Sequence, residues 1–565
     1  MESQHDVPTG VRGRPPFRAR LRGGFTPRGG FKPRGGFKAK AGFQPRGCFI
    51  AGGTFPTFSG AFSRPVIDGC EEFVESLNLY RPGGYHPTHL HDVLNEGQYR
   101  VIEKLGYGGY STVWLCQDTT TAIPTYVAVK IIKASQSGEK CRELMIGDAL
   151  KSRGIENDPW AERICLTLNH FNIEGPYGIH LCLVYPVLGP PVNTAFRIYN
   201  DNIDDEDDDE EDDDEEDDDE EDDDEEDDDE EDDDEEDDDE VDDEDEEGSE
   251  DGQEFIGEQL IGLCRQTVEA VSALHRLGVG HGDVRPANFL LGLRSLDGLD
   301  ESEVLDLLGG KPSQATVHLT TKNAPNAAIN PKFKDLPKYL VYPVDWRCVK
   351  LSHILPKVRL TDFGLSFLTS DVPPPSEFGI PQDYRAPELA FDLSSSIAMD
   401  LWSLGCTLVE IRTGQRLFNM FPGLTGVDKR TYIEDLAAIL GKPPDPWWSL
   451  WPRRGDSVIE DTSQPPGSKV RFKGRSRPTF WFRRARSIRE YIAFCHDCSE
   501  HQTCRTSDSQ LQILNECPKT LHEIVPKDGA EVMVDLLEKL LAYRPEDRMA
   551  AKDVLDHGWL VLGNT

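Results

Sequence analysis

The stretch GHGDVRPANFLL, residues 280–291, sets His281, Asp283 and Asn288 in a single short loop. A carboxylate and a carboxamide this close can take a proton from a hydroxyl and ligate a hard cation through oxygen. A second carboxylate stands in KVRLTDFGLSF, residues 357–367, where Asp362 precedes Phe363 and Gly364. Far upstream, VIEKLGYGGYSTVWLCQD, residues 101–118, carries Gly106 and Gly108, with Ser111 and Val113 beyond them. Small residues in a turn let backbone N–H groups approach phosphate oxygens. Behind that turn, TYVAVKII, residues 125–132, holds one cation, Lys130. A phosphate cradle, a cation, a hydroxyl-facing carboxylate and two cation-binding oxygens are the parts that phosphoryl transfer needs. Each has a plainer reading by itself: a turn glycine, a solvated lysine, an Asp or Asn that only shapes a loop.

The elements that must hold these residues follow from pattern. Residues 101–118 alternate about the glycines and predict a β-hairpin, and 125–132 predicts a strand. KCRELMIGDALK, residues 140–151, follows that strand as a helix. IHLCLVYPVLG, residues 179–189, is an apolar strand running into Pro and Gly. QLIGLCRQTVEAVSALHRLG, residues 259–278, is apolar at helical spacing and ends in Gly278, so it delivers the chain to the loop at 281. Downstream come Ala386-Pro387-Glu388, an apolar helix opening on Met399-Asp400, and a terminal segment offering Arg548 as the partner for Glu388.

These elements, in this order, resemble a eukaryotic protein kinase. The resemblance implies an α+β bilobal fold, with a small β-rich N-lobe and a larger helical C-lobe, and it implies ATP and Mg²⁺ as cofactors. Lys130 then contacts the α- and β-phosphates and pairs with a glutamate of the next helix, Glu143 being the best candidate and Glu139 left open. Asp283 is the catalytic base, and Asn288 and Asp362 hold the metal. Leu105, Gly106, Gly108, Ser111, Val113, Ala128, Lys130, Tyr185, Val187 and Leu188 line the nucleotide site, with Tyr185 at its back. GGYHPTHLHDVL, residues 83–94, followed by KLGYGGYSTVWLCQD, narrows the resemblance to the SR-protein kinases, and DLAAILGKPP, residues 435–444, is similar to a C-lobe segment of that family. HGDVRP and PPDPWWSLW give it a fungal flavour. That family phosphorylates serines in Arg/Ser-rich splicing factors, which implies a non-specific serine/threonine kinase acting in mRNA processing. It carries a small residue between His and Asp, so Gly282 fits. Lacking the arginine that reads an activation-segment phosphate, such a site is competent without one. Arg285, where lysine is usual, keeps the charge on a planar, longer side chain. The family's acidic substrate groove would be supplied here by Asp428, Glu434 and Asp435.

The chain has 565 residues and a formal charge of −43, but 46 acidic side chains lie within 201–251 and the remainder nets +3. Global charge therefore says little about partners. The expected organisation is a disordered RGGF-rich basic tail (1–65), an N-lobe with an extension (66–199), a disordered acidic repeat (200–253) and a C-lobe (254–561). The C-lobe carries a loop insert near 296–352 and a basic insert near 453–515. The tail repeats Phe every six residues among 11 Lys or Arg in its first 50 positions, a composition that can contact RNA. The first residues are polar, and no apolar run approaches a membrane span, so neither a secretory leader nor a membrane partner is expected. The 13 scattered cysteines fit a reduced compartment, cytoplasm and nucleus, and a monomer is expected. Cys495, Cys498, His501 and Cys504 carry zinc-ligand chemistry, but a spacing of three drifts around a helix and closes a tetrahedron poorly. The rival to an active enzyme is a pseudokinase scaffold that binds RNA or partners through its tail and acidic repeat.

Overall fold

The computed structural model describes residues 64–138, 141–194, 250–320, 335–418, 429–451, 453–459, 465–472, 488 and 527–561. The RGGF run, the acidic repeat through 249, Glu139, Asp428 and the Cys495/Cys498/His501/Cys504 group lie outside the described residues, as does most of the basic insert.

The chain enters on a short strand, β1 (Arg64–Asp68), and then builds an antiparallel sheet. Its strands are β2 (Val93–Leu94), β3 (Tyr99–Tyr107), β4 (Ser111–Asp118), β5 (Thr125–Ile132), β6 (Asn169–Gly175) and β7 (Gly178–Tyr185), in the order β2-β3-β4-β5-β7-β6. Helix α1 (Arg142–Ser152) leaves the end of β5. The strand β5 is rich in β-branched residues and buried on both faces. Val127, Val129 and Ile131 pack into one cluster with Trp114, Cys182 and Val184. Ala128 and Ile132 pack into another with Leu183, Tyr185 and Leu188. Because side chains alternate along a strand, Lys130 must share the face of Ala128 and Ile132.

The helical part begins with α2 (Glu250–Arg276), which ends at Gly278 and passes into β8 (Val279–Gly280). Beyond the loop at 281–288, β9 (Phe289–Leu293) leads to α3 (Glu301–Leu307), β10 (Gln314–Thr320) and β11 (Tyr339–Val341). Then β12 (Ile354–Leu360) returns antiparallel to β9, and β13 (Phe367–Leu368) pairs with β8. Two short ladders thus lay the loop at 281–288 beside the segment at 361–366. Helix α4 (Ala398–Thr413) is buried from Met399 to Thr413, as a helix apolar around most of its circumference must be. Helices α5 (Lys429–Leu440) and α6 (Lys527–Leu540) follow in the same lobe. No helix among the described residues is long and apolar enough to cross a membrane.

The insert at 296–352 departs from the loop-like expectation. Helix α3 starts on a capping box, with Asp300 accepting from the Glu303 N–H and Glu303 accepting from the Asp300 N–H. Strand β10 pairs with β1 on one side and β11 on the other, so the insert and the N-terminal extension form one three-stranded sheet. Leu340 is buried with Val74, Leu77, Tyr80, Tyr85 and Tyr177 in a satellite core. Burial of these apolar side chains turns the stretch into an ordered layer.

Candidate active site

Lys130 lies at the centre of the cleft. Its Nζ donates to both oxygens of Glu143 at 3.0 and 2.8 Å and to Asp362 Oδ1 at 2.9 Å. Glu143, in the first turn of α1, is buried and also accepts from the Tyr185 hydroxyl at 2.5 Å. Burial works against the Lys130 charge, but Asp362 and Glu143 outweigh it and raise the amine above its ordinary range. The Lys130 ammonium in turn holds the Asp362 carboxyl down at about 2. Burial and the Glu143 carboxylate both push the Tyr185 phenol up, so it stays a hydrogen-bond donor. The pairing of Lys130 with Glu143 is thus observed, while Glu139 lies outside the described residues.

The loop at 281–288 is fixed from beneath by Asp400, at the start of α4. Its carboxylate accepts from the His281 N–H at 2.7 Å, from the Gly282 N–H at 2.9 Å, and meets His275 Nε2 at 3.1 Å. His281 Nε2 lies 3.1 Å from the Thr361 carbonyl, and its ring stands edge-on to Phe363 at 5.4 Å. Asn288 donates to the Asp283 carbonyl at 2.8 Å and to Asp283 Oδ2 at 2.9 Å. Arg285 Nε also donates to Oδ2, at 3.0 Å. The other oxygen, Oδ1, is buried with no hydrogen-bond partner among the described residues. Burial opposes the charge of Arg285, but Asp283 and Asp362 hold it cationic.

Gly282 has a steric reason to be glycine. Its φ is +79°, and an added Cβ would stand 2.4 Å from the Leu365 carbonyl and 3.1 Å from the Phe378 ring. An arginine cannot enter without moving the segment after Asp362. Arg142, at the head of α1, reaches that same segment at Glu377, 3.2 Å away. The Glu388–Arg548 pair is doubly hydrogen-bonded, both contacts at 2.7 Å, and buried.

Ala128, Tyr185 and Leu188 share one apolar cluster, against which Leu105 and Val113 pack. Val187 packs instead with Ile102, Leu115 and the insert residues Leu296 and Val304. The cluster also draws in Leu290, two residues after Asn288, as a floor from the C-lobe. Sequence reading missed Leu290; its position in the apolar run FLL was the available signal. At Gly106 and Gly108 an added Cβ would meet open space, so no neighbouring side chain covers the turn there. Ser111 is an ordinary strand residue opposite Ile132.

The expected acidic groove needs correction at one residue. Asp435 is fully buried, because α5 turns that face inward with Tyr432, Leu436 and Ile439. Glu434 is half-buried, and Asp428 lies outside the described residues.

Asp362 and Asn288 offer only oxygens toward a cation, the donor type that Mg²⁺ takes when one or two protein ligands leave the remaining positions to phosphate and water. Asp362 sits at a φ of +65° with its side chain 45% exposed to the cleft. These residues fit the metal.

Comparison with known proteins points the same way. The protein kinase domain family matches residues 344–560. The chain is 38% identical over 140 residues to serine/threonine-protein kinase SKY1 of Saccharomyces cerevisiae, covering 24% of this chain and 18% of that one. It is 38% identical over 126 residues to human SRSF protein kinase 3, covering 22% of each. With the serine/threonine-protein kinase SRPK of Physarum polycephalum it is 23% identical over 511 residues, 88% of this chain and 93% of that one. The matches to the yeast and human relatives thus span about a fifth of their length, while the match to the slime-mould protein is nearly end to end.

Proposed function

We propose that the chain is a kinase of the SR-protein kinase type, which transfers the γ-phosphate of ATP to serine in Arg/Ser-rich proteins. The observation that carries the reading is one constellation. Lys130 bridges Glu143 and Asp362 within 3.0 Å, while on the neighbouring loop Asp283 keeps one buried oxygen without a partner among the described residues. In this reading Lys130 orients the α- and β-phosphates, and Glu143, held by Tyr185, keeps the amine aimed. Asp283 Oδ1 accepts the proton of the substrate hydroxyl, and Asn288 with Arg285 fixes Oδ2 so that Oδ1 faces the reacting atom. Asn288 and Asp362 would hold Mg²⁺, which supplies charge neutralisation at the phosphates. Leu105, Val113, Ala128, Leu188 and Leu290 enclose the adenine.

The packing of Gly282 against Leu365 and Phe378 supports a site that works without an activation-segment phosphate. Within the cleft, Arg285 and Ser111 are the positions that could favour the scaffold reading. Neither disturbs the cleft: Arg285 remains on Asp283, and Ser111 sits in its strand. A cytoplasmic and nuclear location fits the free thiols among the described cysteines, and RNA contact through the RGGF run rests on its composition.

The test is transfer from labelled ATP and Mg²⁺ to an Arg/Ser repeat peptide beside an Arg-free serine peptide. Strong preference for the first is expected. Equal labelling of both would keep the kinase and remove the Arg/Ser assignment.

A further inference from the structure

The glycine-rich turn between β3 and β4 is held from its outer side by residues that belong to no part of the nucleotide site. The Tyr85 hydroxyl donates to the Gly108 carbonyl. Lys133, just past β5, donates from Nζ to the Gly109 carbonyl at 2.6 Å and from its backbone N–H to the Tyr110 carbonyl at 2.9 Å. Its ammonium also lies 4.4 Å from the centre of the Tyr85 ring, so the two residues brace each other. Three consecutive carbonyls of the turn are therefore tethered, and the Gly108 N–H closes the turn on the Ser111 carbonyl at 2.9 Å.

The tether is built into the fold. Tyr85 is 2% exposed, packed with Tyr80, Val74 and the insert residue Leu340. The backbone before it is locked to the end of β5, with the Ala134 N–H on the Gly84 carbonyl at 3.1 Å and the Ser135 N–H on the Gly83 carbonyl at 2.9 Å. Gly84 admits no side chain, since a Cβ would stand 1.8 Å from the Leu79 carbonyl. The turn also carries Tyr110 across the cleft mouth, its hydroxyl 3.9 Å from where a Cβ on Gly379 would stand.

We propose that Tyr85 and Lys133 are positioning residues that hold the 106–111 turn in its phosphate-binding shape, so that the segment GGYHP acts on the triphosphate without touching it. The proposal rests on the ATP-dependent reading above. A freely moving turn would have to be ordered by each incoming nucleotide, and the tether removes that cost before binding. The effect must fall on phosphates and spare adenine, because the apolar pocket contains neither residue.

The test uses the full chain and the variants Tyr85→Phe, Lys133→Met and Lys133→Arg. Tyr85→Phe deletes one hydroxyl and keeps the ring in its core. The expected result is an ATP KM raised about three- to tenfold, the range one net hydrogen bond supports, with adenosine affinity unchanged. Amide hydrogen exchange across 106–111 should rise in the same variant. Lys133→Met should behave alike, and Lys133→Arg should restore most of the loss. Unchanged exchange in both Tyr85→Phe and Lys133→Met would overturn the proposal, as would a parallel loss of ATP and adenosine binding. The exchange arm needs no catalysis, so a wild-type chain that failed to transfer phosphate would defeat the kinase reading and still leave the tether open to measurement.

Discussion

Two lysines of the small lobe each sit on a glutamate, and they do opposite things. Lys104, on β3, meets Glu75 of the N-terminal extension and donates to the Val341 carbonyl of the insert at 3.0 Å. Lys130, on β5, meets Glu143 and Asp362. The Lys104 side chain is 0% exposed and its glutamate 1%, whereas Lys130 is 13% exposed and opens on the cleft. Burial drags the Lys104 amine down, against the pull of Glu75, while burial at Lys130 is overcome by two carboxylates. Lys104 is further enclosed by the Tyr107 and Trp114 rings, 5.2 and 5.6 Å from its nitrogen. An ion pair is therefore assigned a role by what lies beyond it. Lys104 ties extension, sheet and insert together, and Lys130 keeps its charge at an opening where phosphates can meet it.

Substitutions separate the two. Lys104→Met leaves Glu75 buried without its cation and should cost about 3–5 kcal/mol in urea unfolding, while Glu75→Leu with Lys104→Met should recover most of that. Lys130→Met should lower phosphate transfer at least about 100-fold, the scale of a lost charge clamp at a reacting phosphate. Its stability cost should be the smaller of the two, because Glu143 retains Tyr185 and Asp362 is partly solvated. If Lys104→Met instead abolished transfer with stability intact, the contrast would collapse. Gly282→Ala asks whether the catalytic loop is as tightly set as the Lys104 junction; forcing a Cβ against the Leu365 carbonyl at a left-handed φ should cost about 1–3 kcal/mol.

A further effect, read against pH, concerns Glu103, the neighbour of Lys104. Burial pushes its carboxyl up to about 7, against the opposing pull of the Lys104 N–H and charge. The folded state then holds this proton where the unfolded chain, near 4.5, has lost it. Its contribution to stability is complete below about 4.5 and is lost as pH rises through about 7. Glu103→Gln should flatten that slope, seen as a smaller difference between urea midpoints at about pH 5 and about pH 8.

The Lys130 side of this contrast was legible in the sequence and the Lys104 side was not. Lys130, Asp283, Asn288, Asp362, Glu388 and Arg548 stand in short motifs whose spacing is set by local loops and strands; the structure makes the two expected pairs, Lys130–Glu143 and Glu388–Arg548, and sets Asn288 on Asp283 and Asp362 on Lys130. Lys104 shares a strand with Gly106, yet its partners come from residues 75 and 341, which no local pattern links. The insert was read as a loop because its strands are short and pair with the distant β1. Its capping box was a local signal that went unread. Asp435 was misplaced because a carboxylate on a helix is normally solvated, and only the packing of α5 shows which face turns inward. Gly282 was legible as tolerated, but its necessity depends on the backbone of Leu365, 83 positions away.

The most direct test of the central claim, a live phosphotransfer cleft, is Asp283→Asn measured for ATP binding and for transfer on the same preparation. The substitution keeps the shape of the loop and removes the proton acceptor. The account predicts ATP binding within about twofold of wild type and transfer lower by about 10²–10⁴-fold. Transfer at the wild-type rate in Asp283→Asn would contradict it.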